Sequence, residues 1–319
     1  MVKEAVVVED ALDILAYGEA MVEFNQTGEG NGPSKGRLYL QGFGGDTSNF
    51  AVAAARQGAR VGYLGALGDD PYGAMLRRLW DEEGVDHASV LADAAAFTAI
   101  YFVTHNEAGH HFSFFRTGSA ASRYTAAQLP RERIVAAKVL HLSGISLAIS
   151  PTACDTAYAA MAMAREAGTL VSFDTNLRLK LWPVDRARAV MSDVIARCDI
   201  CLPSYDDVVA IFGLTDPDAL VDHCLRLGAK QVALKLGEKG ALVADTNERH
   251  RIDPFPCQPV DATGAGDAFG GAFVTRRLAG DSLLDAGRYA AAVAALSTQG
   301  YGAVAPIPRA DEVRARLVG

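Results

Sequence analysis

The chain has 319 residues, of which 50% are apolar and 21% are charged, and this composition is typical of a globular protein. Its formal net charge of −8 provides no basic surface for nucleic acid or for an anionic membrane, so we expect neither as a partner. An anionic substrate would therefore have to be recognised by local arginines.

The cysteines and the N-terminus favour a cytoplasmic protein. The first residues lack the apolar core of a signal peptide, and no run of about 18 uncharged apolar residues predicts a membrane span. Five cysteines, an odd number, fit reduced thiols better than a disulfide framework. Cys198 and Cys201 have the spacing of a metal or redox pair, but no second pair stands near them, and a buried strand is the favoured interpretation.

Short apolar runs alternate with helical patterns along the chain. Because the apolar runs are continuous, we expect strands that are buried on both faces of a parallel sheet. The alternation predicts a doubly wound, three-layer α/β fold. The predicted strands are 14–17, 61–64, 139–143, 170–174, 200–202 and 231–235. The predicted helices are 47–57, 72–83, 152–167, 185–197 and 218–227, and four of them are followed by glycine stop signals at 58, 84, 168 and 228.

Two segments interrupt this alternation. Residues 22–41 are polar and rich in glycine, and residues 97–116 alternate around a turn at 106–109, which predicts a hairpin. Together they predict a small projecting sheet, which is a candidate lid with a candidate dimer surface. Its histidines could bind a metal, but a solvated hairpin tip is the favoured interpretation. These histidines are His105, His110 and His111.

Residues 261–271, Asp-Ala-Thr-Gly-Ala-Gly-Asp-Ala-Phe-Gly-Gly, predict a glycine turn at the start of a helix. Gly264 and Gly266 allow the backbone to approach a ligand closely, and the helix N-terminus attracts an anion. A carboxylate at such an anion site, here Asp267, would repel a phosphate. Its presence is explained if it faces a hydroxyl group that must lose its proton when it attacks that phosphate. The alternative is a glycine turn that caps a core helix, with Asp267 placed to favour the helix dipole.

This segment resembles the C-terminal signature of the ribokinase (PfkB) family of sugar kinases. Residues 42–51, Gly-Phe-Gly-Gly-Asp-Thr-Ser-Asn-Phe-Ala, resemble the family's N-terminal glycine motif. The resemblance covers nearly the whole chain and implies one ribokinase-like α/β/α domain over residues 1–319 with a small β-sheet lid. It also implies ATP and Mg²⁺ as cofactors and a homodimer formed through the lid. The chain has no G-x-x-x-x-G-K-[ST] phosphate loop.

The resemblance implies catalytic roles for the second motif. Asp267 would accept the proton of the attacking hydroxyl, and the N–H groups of Gly264, Ala265 and Gly266 would stabilise the transferring phosphoryl group. Because the proton leaves late in a loose transition state, this base does not need a raised pKa.

The first motif would contact the sugar hydroxyls through Gly44, Gly45, Asp46 and Asn49. The alternative is that Asp46 or Thr47 simply caps the following helix.

Two arginines indicate an acid sugar. Within the family, residues 17–24, 114–120 and 174–182 most resemble 2-keto-3-deoxygluconate kinases. By this resemblance Arg116 and Arg178 would clamp the substrate carboxylate, with Tyr101 and Asn176 in the same pocket. The alternative for each arginine is a surface or ion-pair role. Phosphorylation of 2-keto-3-deoxygluconate at its terminal hydroxyl is therefore the expected reaction.

The nucleotide side is predicted from residues 235–240, Lys-Leu-Gly-Glu-Lys-Gly. Lys235, Gly237 and Gly240 would lie near the phosphate or adenine, unless the segment is a solvated β-turn. Many relatives carry an N-x-x-E element, for which this chain has Ser204 near the nucleotide and Asp207 as a weak metal candidate acting through water.

Three other functions stay open. They are a kinase for a neutral sugar such as fructose or ribose, a non-catalytic sugar-binding regulator, and a dinucleotide-dependent oxidoreductase. The two arginines disfavour the neutral sugar, and the intact Asp267 disfavours the regulator. The missing G-x-G-x-x-G after the first strand disfavours the oxidoreductase.

Overall fold

The computed structural model describes residues 11–27, 38–106 and 109–317. Within these residues a mixed sheet of nine strands forms the central layer. Seven neighbouring strands of this sheet run parallel, and the two remaining strands at one edge pair antiparallel. In spatial order the strands are β13 (Arg249–Ile252), β12 (Ala241–Asp245), β11 (Gln231–Lys235), β10 (Ile200–Cys201), β9 (Leu170–Asp174), β8 (Val139–Ser143), β1 (Ile14–Tyr17), β4 (Val61–Gly68) and β5 (Asp86–Asp93).

Helices cover both faces of this sheet. Along β1, Ile14 and Ala16 belong to the core beneath one helical layer, whereas Leu15 and Tyr17 belong to the core beneath the other. This alternation confirms the predicted three-layer fold. The first layer contains α1 (Asp46–Arg56), α2 (Pro71–Glu83), α10 (Ala265–Leu278), α11 (Leu283–Ser297) and α12 (Ala310–Leu317). The second contains α3 (Ala120–Arg123), α4 (Arg131–Ala136), α5 (Gly144–Ala148), α6 (Pro151–Ala167), α7 (Val184–Arg197), α8 (Tyr205–Phe212) and α9 (Pro217–Leu227).

In the structure, each of the five predicted helices begins one residue earlier than the sequence pattern predicts. Three of them start with proline directly after a side-chain cap provided by Asp70, Ser150 or Asp216. Proline fits the first helical position because its missing N–H has no partner there. The predicted stops at Gly84 and Gly168 are confirmed as left-handed C-caps.

A separate four-stranded sheet, called the small sheet below, forms from the two interrupting segments. Its order is β3 (Tyr39–Gly44), β2 (Met21–Gln26), β6 (Ile100–Asn106) and β7 (Gly109–Phe115). The predicted hairpin is confirmed, because β6 and β7 pair from Ile100 with Phe115 to Asn106 with Gly109. The backbones of His105 and His110 lie opposite each other next to the turn, but their side chains and residues 28–37 and 107–108 fall outside the description.

The cysteines of the C-x-x-C pair form no disulfide. Cys201 lies in β10, as the strand prediction expects, and Cys198 follows α7. Both side chains are buried free thiols. None of the helices in the described part of the chain is long and apolar enough to cross a membrane.

Candidate active site

The glycine turn lies at the N-terminus of α10, as predicted. Gly264 precedes the helix with a left-handed φ of 76°, and a Cβ at this position would lie 2.8 Å from the carbonyl oxygen of Ala303. Only glycine fits such a backbone without strain. The N–H groups of Gly266 and Asp267 have no acceptor among the described residues, so the first turn offers two donors to an anion.

Asp267 is the third residue of α10 and faces α1. Asn49 donates a hydrogen bond of 2.8 Å from Nδ2 to Oδ2 of Asp267. Removal from water, followed by repulsion from Asp46, raises the pKa of Asp267 to about 8, although the bond from Asn49 acts in the opposite direction. The carboxyl group is therefore poised to exchange a proton near neutral pH.

Asp46 is the first residue of α1 and does not cap it. The cap is Gly45, with a φ of 92°, and it provides no side-chain hydrogen bond. Oδ1 of Asp46 accepts from the N–H of Thr47 at 2.8 Å, and Oδ2 accepts from Nδ2 of Asn176 at 2.8 Å. Thr47 bonds the hydroxyl of Tyr63 at 2.9 Å. Asp46 therefore begins the helix and accepts one of its first N–H groups, but neither Asp46 nor Thr47 is the N-cap.

Lys235 and Asp174 form a buried ion pair at the carboxyl ends of β11 and β9. A Cβ at Gly266 would lie 3.5 Å from Nζ of Lys235, so the ammonium group stands beside the glycine turn. Lys235 is only 9% exposed, which contradicts the solvated β-turn for this residue. Gly237 begins the short helix that follows, and Gly240 leaves no room for a Cβ, which would lie 2.0 Å from the Ile252 carbonyl oxygen.

The Ser204 and Asp207 pair lies at the start of α8. Ser204 is the residue before the helix, and its N–H donates to Oγ1 of Thr175 at 3.3 Å. Oδ2 of Asp207 accepts from the same Thr175 hydroxyl and from the N–H of Leu177, each at 3.1 Å, while burial raises the pKa of Asp207. Asp207 therefore holds the loop after β9 with one oxygen. Across the part of the chain that the structure describes, no group of three or more acidic, His or Cys residues is arranged to hold a metal alone.

Tyr101 lies against the first glycine motif. Its hydroxyl donates to Oε2 of Glu23 at 2.6 Å, and a Cβ at Gly44 would lie 2.3 Å from that hydroxyl oxygen. A side chain at position 44 would therefore collide with Tyr101 in its present position. Sequence reasoning missed Glu23, which is 2% exposed, although the strand alternation of residues 21–26 places it on the same face as Tyr101.

The two arginines have protein partners of their own. Nη2 of Arg116 lies 2.5 Å from Oε2 of Glu19, which is 1% exposed and also accepts from the hydroxyl of Ser119. Arg178 is exposed, and its Nη1 donates to the carbonyl oxygen of Leu177 at 2.8 Å. The predicted pair of free guanidinium groups is therefore corrected, because the charge of Arg116 is already neutralised by a carboxylate that sequence reasoning missed.

Known proteins are similar to this chain in both sequence and fold. The sequence profile of the pfkB family carbohydrate kinases matches residues 11–310. The chain belongs to the pfkB family of carbohydrate kinases. It is accordingly a sugar kinase that uses ATP as the phosphoryl donor, and the regulator and oxidoreductase alternatives lose their support.

Relatives within the pfkB family include several fructokinases. Fructokinase-1 of Zea mays is 34% identical over 311 residues, which cover 94% of this chain and 96% of that protein. Probable fructokinase-4 of Arabidopsis thaliana is 32% identical over 317 residues, with 96% and 97% covered. These names do not support the keto-deoxy acid subtype that the sequence pieces suggested.

A solved structure has the same fold with ligands bound. A fructokinase from Vibrio cholerae O395, bound to fructose, ADP and a calcium ion, matches this chain with a TM-score of 0.85 at 28% identity, covering 97% of this chain and all of that one. The ribokinase-like fold of this pfkB kinase is thus confirmed.

Proposed function

We propose that this pfkB kinase transfers the γ-phosphoryl group of ATP to a primary hydroxyl of a neutral sugar of the fructose class. The ion pair between Arg116 and Glu19 carries this proposal, because it removes one of the two cations that a substrate carboxylate would need. The fructokinase relatives support the same choice.

The charges around Asp267 also favour a neutral substrate. Asp46 lies close enough to raise the pKa of Asp267, so two carboxylates face the space where the sugar would bind. A substrate carboxylate placed beside them would be repelled, whereas neutral hydroxyl groups would donate hydrogen bonds to the same oxygens. Asp46, Asn49, Asn176 and Tyr101, with the backbone at Gly44 and Gly45, form the proposed sugar site.

The chemistry of this proposal follows from the geometry at α10. Asp267 accepts the proton of the attacking hydroxyl, and the bond from Asn49 holds its carboxylate in place. The free N–H groups of Gly266 and Asp267 and the ammonium group of Lys235 neutralise charge on the transferring phosphoryl group. The predicted contribution of the Ala265 N–H is corrected, because this group donates to the carbonyl oxygen of Ala262 at 3.2 Å. The raised pKa of Asp267 means that its ionised form binds a proton more tightly than an ordinary carboxylate does, which suits a general base.

A divalent cation fits this arrangement together with the nucleotide. Mg²⁺ in kinases is commonly held by one or two carboxylates, by phosphate oxygens and by water. Oδ1 of Asp207 accepts no hydrogen bond from a described residue, so it is free for such a water-mediated contact. When bound, the cation would neutralise charge on the β- and γ-phosphates.

A coupled ADP-release assay with ATP and Mg²⁺ tests the proposal. The panel is fructose, ribose, gluconate, 2-keto-3-deoxygluconate and 2-keto-3-deoxygalactonate, with the Asp267→Ala variant as the inactive control. We expect turnover of fructose or ribose and a loss of at least about 100-fold in kcat for the control. Turnover of the keto-deoxy acids alone would overturn the neutral-sugar proposal and would assign carboxylate binding to the exposed guanidinium of Arg178.

A further inference from the structure

The loop after β9 contains a backbone conformation that side chains rarely adopt. Among the described residues, Asn176 is the one non-glycine residue with a positive φ, at 29°. Asparagine tolerates the left-handed region better than other residues, but it still carries strain there. Such strain persists only when the surrounding contacts enforce it.

Two carboxylates, of the buried Asp174 and the half-buried Asp207, enforce this conformation. Oδ1 of Asp174 accepts from the N–H of Asn176 at 3.1 Å, and Oδ2 of Asp207 accepts from the N–H of Leu177 at 3.1 Å. Asp174 is 4% exposed and uses its other oxygen for the ion pair with Lys235. The backbone of Asn176 is therefore connected to the nucleotide side of the site.

The side chain of Asn176 is connected to the sugar side. Nδ2 donates to Oδ2 of Asp46 at 2.8 Å, whereas Oδ1 of Asp46 is held by the N–H of Thr47. Both oxygens of Asp46 thus have a fixed donor, so the carboxylate has a defined orientation toward the sugar.

We propose that Asn176 is a positioning residue with two separable roles. Its side-chain amide orients Asp46 for the sugar hydroxyls. Its left-handed backbone holds Asp174, which in turn holds Lys235 beside the glycine turn of α10. The proposal rests on the sugar-binding role of Asp46 and the phosphate-binding role of Lys235 given above, and it does not depend on which sugar is used.

Two substitutions at Asn176 separate these roles. Asn176→Gly removes the amide but keeps the left-handed backbone free of strain, whereas Asn176→Ala removes the same amide and adds a strained φ. For Asn176→Gly we expect the KM of the sugar to rise about 10-fold or more, since a charge-assisted hydrogen bond is lost, and the Kd of ADP to stay within about 2-fold. For Asn176→Ala we expect the same rise in the sugar KM and a Kd of ADP that is weaker by about 5-fold.

The measurements are steady-state kinetics with the sugar that the panel identifies and calorimetric titration of ADP with Mg²⁺ in the absence of sugar. Lys180→Ala, an exposed change in the same loop, serves as the control and should alter neither constant. An unchanged sugar KM in Asn176→Gly overturns the side-chain role, and equal ADP affinities of the Gly and Ala variants overturn the backbone role. Because the ADP titration needs no sugar, it still decides the backbone role if every sugar in the panel fails.

Discussion

At the scale of single residues, Asp267, the proposed general base, lowers the stability of the folded protein when it is ionised. Its pKa is 3.8 in an unfolded chain and about 8 in the folded protein, so the folded state binds the proton more tightly. The free energy of unfolding therefore falls as the pH rises from about 4 toward 8. Such a group is retained because of what it does rather than because it stabilises the fold.

The substitution Asp267→Asn tests this interpretation. Asparagine keeps the shape and can still accept the hydrogen bond from Asn49, but it removes the partly buried charge. We expect a higher Tm than that of the native protein at pH 8, a smaller difference at pH 5, and a kcat that is lower by at least about 100-fold. Thermal unfolding at the two pH values measures the first two effects, and a Tm that drops at pH 8 would contradict the assignment.

The pH dependence of catalysis follows from the same group. A general base must be ionised, so kcat/KM should fall about tenfold per pH unit below the pKa of Asp267 and level off above about pH 8. Repulsion from Asp46 helps to raise this pKa. The Asp46→Asn variant should therefore show its fall in kcat/KM at a lower pH, whatever its effect on sugar affinity. A profile that is flat from pH 6 to 9 would exclude Asp267 as the titrating base.

At the scale of elements, the active site depends on how closely α1 and α10 pack. Gly271 of α10 has no space for a side chain, because a Cβ there would lie 2.6 Å from the carbonyl oxygen of Phe50 and 2.9 Å from Cβ of Ala53. The same contact places Asn49 of α1 against Asp267 of α10. A glycine one helical turn after Asp267 thus sets the distance between two proposed site residues.

The Gly271→Ala variant should be less stable and less active. Helix propensity alone would favour alanine by about 1 kcal/mol, so a loss of stability can be attributed to the helix contact. We expect the free energy of unfolding to fall by about 1–3 kcal/mol and kcat to fall, since the helices must separate. Urea unfolding and the sugar assay measure these effects, and a more stable variant would show that the helices can adjust.

The elements that sequence reasoning predicted well are those with local signals. Continuous apolar runs identified β8, β9 and β11, and the caps are local as well. The antiparallel edge of β12 and β13 was missed, because its partners follow from the whole sheet rather than from the pattern of each strand. Glu19 and Asp174 were missed as partners of Arg116 and Lys235 for the same reason, since each pair joins strand ends that are distant in sequence.

At the scale of the whole molecule, the small sheet carries exposed apolar side chains. Large apolar residues lie on both of its faces, because Phe114 and Phe115 follow each other along β7, and monomers rarely leave so much apolar surface uncovered. We therefore propose that two copies associate through this sheet, as the family resemblance implies. The exposed residues and their exposed fractions are Leu38 73%, Leu40 60%, Phe114 42% and Phe115 56%.

Light scattering after gel filtration checks this association. We expect the native chain to have twice the mass of one chain, and a Leu40→Lys/Phe115→Lys variant to have the mass of one, because a charge in an apolar interface is not compensated. Leu317, which is 43% exposed at the end of α12, provides a control through Leu317→Lys, which should leave the mass unchanged. A native chain that elutes with the mass of one copy at all concentrations would exclude the dimer.

The parallel pairing of β2 with β6 has a consequence for the order of folding. The small sheet consists of two antiparallel pairs, β2 with β3 and β6 with β7, and each pair joins strands that are consecutive in the chain. The two pairs meet where β2 lies beside β6, and α1, β4, α2 and β5 lie between the pairs in the sequence. Closing the long loop between β2 and β6 is slow, so the two strand pairs should join only after α1, β4, α2 and β5 have assembled in the main domain. A nascent chain would then complete the small sheet, for which we propose the role of a lid, only after the central sheet has formed.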